Sequence, residues 1–211
     1  MDLMYDVHSH NLQFVNGVFC IQQLSIKDQR PHFPFSISIH PWYIDNGDCV
    51  KDIEPFVSNT NCIAIGETGL DKLYPNMGKQ RAVFVEHILL AKKYKKPLII
   101  HCVRAFEECM ALLQEHKFTH GVLFHGFNKH ENLAKQIIKK GYYISIGSFF
   151  LKENPNFERF LIETDFYNIL FETDNNSEME IQDLYSKAKH IHPTLDIVKT
   201  ITETFNNWKE K

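Results

Sequence analysis

Residues 62–102, CIAIGETGLDKLYPNMGKQRAVFVEHILLAKKYKKPLIIHC, decide the fold of this chain. Two short apolar runs, Cys62 to Glu67 and Pro97 to Cys102, flank a longer amphipathic stretch from Lys79 to Tyr94. Short apolar runs bounded by turn residues indicate buried strands, and the periodic stretch between them indicates a helix. Because parallel neighbours need a crossover that is usually helical, this order predicts a parallel sheet.

The same alternation extends over the rest of the chain. Six more apolar runs read as strands: Leu3 to His8, Val18 to Leu24, Phe35 to His40, Gly121 to His125, Tyr142 to Gly147 and Asn168 to Thr173. Helical patterns cover 50–58, 105–116, 130–140 and 156–164, and residues 178–211 predict two more helices broken near Pro193. We therefore predict an α/β chain with a (β/α)8 TIM barrel, a fold whose lower size limit is roughly 200 residues.

The first part of this barrel is short of residues. Only about ten residues separate the first candidate strand from the second, and the second from the third, which is too few for a crossover helix. Either the barrel is trimmed in its first βα units, or the run from Val18 to Leu24 is not a parallel strand. We find no repeat or linker, so residues 1–211 are expected to form a single domain.

Composition narrows the classes of protein to consider. Hydrophobic residues make up 44% of the chain and charged residues 23%, as in ordinary globular domains. The sequence lacks a bilayer-length apolar run and the features of a signal peptide, so we expect a cytoplasmic protein without a membrane role. We also expect reduced cysteines, and no obligate protein partner is evident from the sequence. A net charge of -3 argues against a global positive field for nucleic acid, although a local basic groove stays compatible with it.

The chain has twelve histidines, and several follow predicted strands together with carboxylates. The residues at these strand ends are His8, His10, His40, Glu67, His101, His125 and Asp174. In a parallel barrel the carboxyl ends of the strands converge on one face, where such folds carry their active sites. A strand also points residues i and i+2 to the same side, so both imidazoles of the first pair can bind one ion. A second such pair, His190 and His192, lies in the polar tail, and we do not expect it to bind metal.

The donor set indicates more than one metal ion. With His40 set aside, the four histidines His8, His10, His101 and His125 and two carboxylates, without thiolate, suit Zn, Mn, Fe or Ni and, more weakly, Mg. Six donors exceed a tetrahedral site, whereas two ions roughly 3.5 to 4 Å apart would use them all. Glu67, bracketed by Gly66 and Gly69, is either a turn acid or a carboxylate that bridges both ions. Glu172 shares the alternation phase of Asp174 and is a candidate supporting residue.

Six motifs together resemble the TatD family of metal-dependent deoxyribonucleases. In chain order they are Asp6-Val7-His8-Ser9-His10, Ile39-His40-Pro41-Trp42, Ile65-Gly66-Glu67-Thr68-Gly69-Leu70-Asp71, Ile100-His101-Cys102, Phe124-His125-Gly126-Phe127 and Glu172-Thr173-Asp174. The resemblance implies a barrel with divalent metal ions and cleavage of DNA, in some members as a 3′ to 5′ exonuclease. It also implies as metal ligands His8, His10, Glu67, His101, His125 and Asp174.

The resemblance implies further roles at the substrate side. His40 would face the substrate phosphate or assist proton transfer. Arg104, which follows the histidine of the fifth strand, would also bind substrate. Lys72 and Lys129 follow other strand ends and are further candidates to meet a phosphodiester. The rim aromatics either stack bases or pack loops; they are Trp42, Tyr43, Tyr74, Phe127, Phe149 and Phe150.

Our leading hypothesis is a phosphodiesterase or deoxyribonuclease that uses two divalent ions, Mg, Mn or Zn, with DNA or another phosphodiester as substrate. Asp174 and Glu67 would be the catalytic carboxylates, with Asp174 accepting the proton of an activated water. The family's proline after Asp174 and its Arg/Pro-rich loop are replaced here by Asn175-Asn176-Ser177-Glu178. Two alternatives follow: a hydrolase of a small amide, lactone or phosphoester, and a barrel that binds metal without turnover.

Overall fold

We describe the fold from a computed structural model, which describes residues 3–11, 15–26 and 32–211. It contains eight strands: β1 Met4–Ser9, β2 Val18–Leu24, β3 Phe35–Ile37, β4 Cys62–Asp71, β5 Leu98–Val103, β6 Val122–Phe124, β7 Tyr143–Ile146 and β8 Ile169–Phe171. The helices are α1 Val50–Val57, α2 Met77–Tyr94, α3 Phe106–Glu115, α4 Glu131–Lys139, α5 Ser148–Leu151, α6 Pro155–Glu163, α7 Ile181–Ile191 and α8 Ile197–Glu210. Within the described residues no helix is both long and apolar enough to cross a bilayer.

The strands follow one another in the sheet in chain order, from β1 to β8. The pairs β1–β2, β3–β4, β4–β5 and β7–β8 are all parallel. A parallel bridge between Ser9 and Asp174 joins the segment after β8 to the end of β1. This is the strand order of a (β/α)8 barrel, and the predicted fold class is confirmed.

The trimmed first βα units predicted from the sequence are also present. The strand β2 pairs in parallel with β1, from Met4 opposite Val18 to Ser9 opposite Gln22, so the alternative that 18–24 is not a parallel strand is wrong. No helix occurs in the described parts of the two early connections, 10–11, 15–17, 25–26 and 32–34. Residues 12–14 and 27–31 of these connections lie outside the described residues.

The chain divides into two compact units. Unit 1 comprises Met1–Gln22 and Phe124–Trp208, and unit 2 comprises Gln23–Leu123 and Lys209–Lys211. The strands of both units are largely buried, because their apolar residues form the core. Local signals start the helices of unit 1: the Asn154 side chain accepts a hydrogen bond from Phe157 N–H ahead of Pro155, and the His130 side chain accepts one from Leu133 N–H. The single domain expected over residues 1–211 stays a prediction.

Candidate metal centre

In unit 1 the ends of β1, β6 and β8 bring together four of the predicted metal ligands. We call them the first donor group, which consists of His8, His10, His125 and Asp174. One carboxylate oxygen of Asp174 lies 3.6 Å from Nε2 of His8 and 3.6 Å from Nε2 of His10. Ligand atoms of His8, His125 and Asp174 all lie within 4.8 Å of one another. Imidazole and carboxylate atoms this close fit a divalent ion of the zinc or manganese type.

The backbone of unit 1 holds Asp174 against the end of β1. Its N–H donates to the carbonyl of His8 (2.9 Å), and its carbonyl accepts from His10 N–H (3.0 Å). Asp174 has a left-handed conformation with φ 53°, which is uncommon outside glycine. The preceding Thr173 donates through its N–H (3.0 Å) and its hydroxyl (2.7 Å) to the Asp6 carboxylate, whose pKa burial raises to about 6 although these hydrogen bonds lower it.

Glu172 lies beside the first donor group. It is 1% exposed and accepts hydrogen bonds from Gly126 N–H (2.6 Å) and from the Ser145 hydroxyl (2.7 Å). Its second oxygen lies 3.8 Å from Nδ1 of His125. This separation is too long for a direct hydrogen bond, so Glu172 faces His125 as a nearby buried carboxylate. The supporting role that the alternation phase indicated for Glu172 stays a prediction.

In unit 2 the ends of β3, β4 and β5 form a second donor group, which consists of His40, Glu67, Asp71 and His101. Oε1 of Glu67 lies 2.8 Å from Nδ1 of His101 and 3.2 Å from Nε2 of His40. Nε2 of His101 lies 3.1 Å from Oδ2 of Asp71. His101 therefore lies between two carboxylates. If Nε2 carries the proton and donates a hydrogen bond to Asp71, Nδ1 is available to a metal ion that Glu67 also binds.

Asp71 was not predicted from the sequence as a site residue. Its carboxylate accepts from Trp42 Nε1 (2.7 Å) and Leu73 N–H (2.8 Å) as well as contacting His101. Burial raises the pKa of Asp71, but these hydrogen bonds outweigh it and lower the pKa below its usual value. A signal was available, since Glu67 and Asp71 are four residues apart in one strand and so share its alternation phase.

A hydrogen bond of His40 distinguishes its role from that of the metal ligands. Its Nδ1 accepts a hydrogen bond of 3.1 Å from the backbone N–H of Trp42. Because Nδ1 acts as acceptor, the neutral ring carries its proton on Nε2, which then donates and does not ligate. This favours the predicted role of His40 at the substrate phosphate over metal ligation.

The two glycines beside Glu67 allow β4 to approach β5 closely. A Cβ on Gly66 would lie 2.5 Å from the carbonyl oxygen of Ile99, and one on Gly69 would lie 2.1 Å from that of His101. Gly69 also has φ 144°, which is a conformation that side chains rarely adopt. The interpretation that glycines here permit close backbone approach therefore has a structural basis.

The other candidate residues are exposed or take part in structural contacts. Arg104 directly follows β5, with φ 56° and an exposed side chain. Lys72 forms an ion pair with Glu108 (2.5 Å), and Lys129 donates to Asn128 (2.5 Å). In the second His-x-His pair, His190 is exposed and His192 lies 2.9 Å from Asp165 at the end of α7.

A cleft of about 420 Å³ opens beside Asp174 in unit 1. Its polar lining consists of amides, hydroxyls and carboxylates: Asn128, Ser148, Glu172, Thr173, Asp174, Asn175, Asn176, Ser177 and Glu178. Phe127 and Phe149 contribute apolar surface, and the described residues that line the cleft include no lysine or arginine.

A family model described as "TatD related DNase" matches residues 20–205. The chain belongs to the TatD family. Among relatives, the uncharacterised metal-dependent hydrolase YcfH of Escherichia coli K12 is 29% identical over 150 residues, which are 65% of this chain and 57% of its own length. An uncharacterised metal-dependent hydrolase of Buchnera aphidicola is 33% identical over 70% of this chain and 60% of its own length. The chain thus matches little more than half the length of these relatives.

Solved TatD structures share the fold. The TatD homologue YJJV of Escherichia coli K12 superposes with a TM-score of 0.78 at 18% identity, covering 97% of both chains. A TatD family hydrolase of Entamoeba histolytica gives 0.75 at 13% identity over 100% of this chain and 99% of the other. At such identities the likeness concerns the fold.

Proposed function

We propose that this TatD chain is a metal-dependent hydrolase that cleaves phosphodiester bonds of DNA. The observation that carries the proposal is the collection of imidazole and carboxylate atoms within 4.8 Å of one another, contributed by His8, His125 and Asp174 in the first donor group and by His40, Glu67 and His101 in the second. The names of the relatives agree with it: several are called metal-dependent hydrolases, and a TATDN1 homolog of Vairimorpha ceranae is provisionally named a deoxyribonuclease.

Each donor group would hold one divalent ion, Mg, Mn or Zn. The ligands would be His8, His10, His125 and Asp174 in the first group, and Glu67 and His101 in the second. When bound, such ions stabilise negative charge on phosphoryl oxygens and lower the pKa of water.

The chain's own residues would then complete the reaction. The side chain of Asp174 is 44% exposed at the cleft, so its carboxylate can orient the attacking water and accept its proton. Nε2 of His40 lies 3.2 Å from Oε1 of Glu67, and once Glu67 binds metal the Nε2–H would donate instead to a phosphate oxygen of the substrate. Arg104, exposed after β5, would attract the same phosphate, while Glu172 and Asp71 hold the histidines His125 and His101 in place.

Cleavage of end-labelled single-stranded DNA with Mg or Mn tests the proposal. We expect the wild type to cleave, and His8→Ala and Asp174→Ala to lose about a hundredfold or more in rate, because each removes a donor atom. His190→Ala is the matched control, since it removes an exposed histidine of the other His-x-His pair. Equal activity in all four proteins would refute the assignment.

The cleft of unit 1 supports a second candidate function. The described residues that line the cleft include three carboxylates and no basic side chain. Such a lining repels a polyanion and suits a small neutral amide, lactone or ester. A panel of chromogenic esters, lactones and phosphodiesters separates the two candidates by kcat/KM. Bound metal without turnover of any member of the panel would instead favour a metal-binding barrel without catalysis.

A further inference from the structure

Four large apolar side chains of unit 2 form an exposed surface beside the second donor group. We call it the aromatic platform, and its members are Trp42 (42% exposed), Tyr43 (55%), Leu73 (61%) and Tyr74 (39%). Single exposed apolar residues are ordinary, but a contiguous group of them marks a site of interaction.

The platform is rigid. The rings of Trp42 and Tyr74 stack with centroids 4.7 Å apart and planes 14° from parallel. Asp71 holds both loop segments: it accepts from Trp42 Nε1 (2.7 Å) and Leu73 N–H (2.8 Å), and its carbonyl accepts from Tyr74 N–H (3.2 Å). A surface ordered before binding loses little conformational entropy when a ligand docks.

The platform also contacts side chains of the second donor group. Trp42 lies edge-on to His40, with ring centroids 4.8 Å apart, and to His101, with centroids 5.6 Å apart. The carboxylate of Asp71 contacts both Trp42 and His101. A group bound on the platform would therefore lie next to a phosphate at His40.

We propose that the aromatic platform stacks an unpaired nucleobase of the substrate, next to the phosphodiester that is cleaved. This inference rests on the proposed function and adds to it the part of the substrate that unit 2 recognises. Two stacked, nearly parallel rings continue naturally into a third flat ring, and stacking accepts any base because every base has a π-face. An aromatic cage for a cation needs several ring faces directed at one point, an arrangement that Trp42 and Tyr74 do not provide.

Binding without metal tests the platform directly. The chain has two tryptophans, and Trp208 is fully buried, so quenching of exposed tryptophan emission reports on Trp42. In EDTA, we expect a short single-stranded thymidine oligonucleotide to quench this emission, and the same oligonucleotide without bases to leave it unchanged.

Polarisation of labelled oligonucleotides gives the affinities. Loss of stacking is expected to weaken binding of the base-bearing oligonucleotide about 5- to 100-fold in Tyr74→Leu and Trp42→Leu, and to leave the abasic one unaffected. Tyr167→Leu, which replaces a more exposed tyrosine of unit 1 outside the platform, is the matched control. Tyr74→Leu keeps the Trp42–Asp71 bond, so it decides the question even if Trp42→Leu is unstable.

Cleavage separates this inference from the proposed function. A higher kcat/KM for the base-bearing than for the abasic oligonucleotide, abolished in Tyr74→Leu, supports the platform. Equal kcat/KM for both substrates, with equal affinity in wild type and Tyr74→Leu, refutes the platform and leaves the phosphodiesterase intact. Absence of cleavage with base-dependent binding refutes the phosphodiesterase and supports base stacking.

Discussion

In unit 2 the carboxylate of Asp71 connects the aromatic platform to the second donor group. It accepts from Trp42 and Leu73 and contacts His101, so it fixes which nitrogen of His101 carries a proton. In Asp71→Asn the amide nitrogen would face either the Leu73 N–H at one oxygen position, or the Trp42 indole N–H and Nε2 of His101 at the other. We expect metal affinity or activity to fall about 10- to 100-fold.

Metal titration by calorimetry and the rate of DNA cleavage measure this effect of Asp71→Asn. Asp45→Asn is the control, because Asp45 is an exposed carboxylate paired with Lys79. Unchanged metal affinity in Asp71→Asn would show that Asp71 does not orient His101.

His87 makes the stability of the protein depend on pH. It is fully buried in α2, accepts a hydrogen bond from Ile39 N–H (3.0 Å), and has a pKa that burial lowers to about 4 from an ordinary 6.5. Since the unfolded chain binds a proton that the folded chain does not, stability from this group is lost as pH falls from 6.5 towards 4. The loss is about 3 kcal/mol.

Urea unfolding at several pH values between 4 and 7 measures the contribution of His87. Other groups titrate in this range, so the relevant quantity is the difference in slope between wild type and His87→Gln. A steeper fall in the free energy of unfolding towards pH 4 is expected in the wild type, and parallel slopes would contradict the assignment.

At the level of elements, the glycines of β4 set how closely it lies to β5. In Gly69→Ala the new Cβ would lie 2.1 Å from the carbonyl oxygen of His101, at a φ of 144°. We expect a loss of about 2 to 5 kcal/mol in the free energy of unfolding, from steric overlap and backbone strain. Gly78→Ala in α2, where nothing lies within 4 Å of the new Cβ, should stabilise by about 0.5 to 1 kcal/mol. Denaturant unfolding compares the two, and similar values would contradict this account of β4.

The sequence predicted the elements better than their ends. Each predicted strand exists, and short apolar runs bounded by turn residues are typical of buried strands. The β4 strand was expected to end at Glu67 but continues to Asp71, which pairs with Val103. The Gly-Glu-Thr-Gly-Leu-Asp segment of this strand has a composition typical of a turn, and its pairing with β5 keeps it extended. The β3 strand ends at Ile37 and not at His40, which lies in a loop next to Trp42.

At the level of the whole molecule, metal should stabilise the folded chain. An ion that binds the folded state alone adds about 2.7 kcal/mol at a concentration a hundredfold above its Kd. We therefore expect Mn or Zn to raise the melting temperature of the wild type and EDTA to reverse the shift. His8→Ala and Asp174→Ala should shift less than His190→Ala, as measured by calorimetry, and an equal shift in all of them would argue against the first donor group.

The sequence indicated the donor residues because strand ends of a parallel sheet share one edge, so positions alone predicted which side chains meet. It did not indicate the residues that orient them. The Ser145 hydroxyl and Gly126 N–H that hold Glu172, and the indole N–H that holds Asp71, come from elements far apart in the chain. Hydrogen-bond partners of this kind depend on the folded backbone and leave no spacing pattern in the sequence.

The C-terminal helix also has a consequence for the order in which the protein is made. In unit 1, Phe205 of α8 stacks on Tyr5 of β1 with ring centroids 4.3 Å apart and packs against Phe19 of β2 at 5.4 Å. During synthesis β1 and β2 are thus made well before the helix that covers them. Their apolar faces stay exposed until α8 has also been made, which makes the nascent chain a client for chaperones that shield such strands.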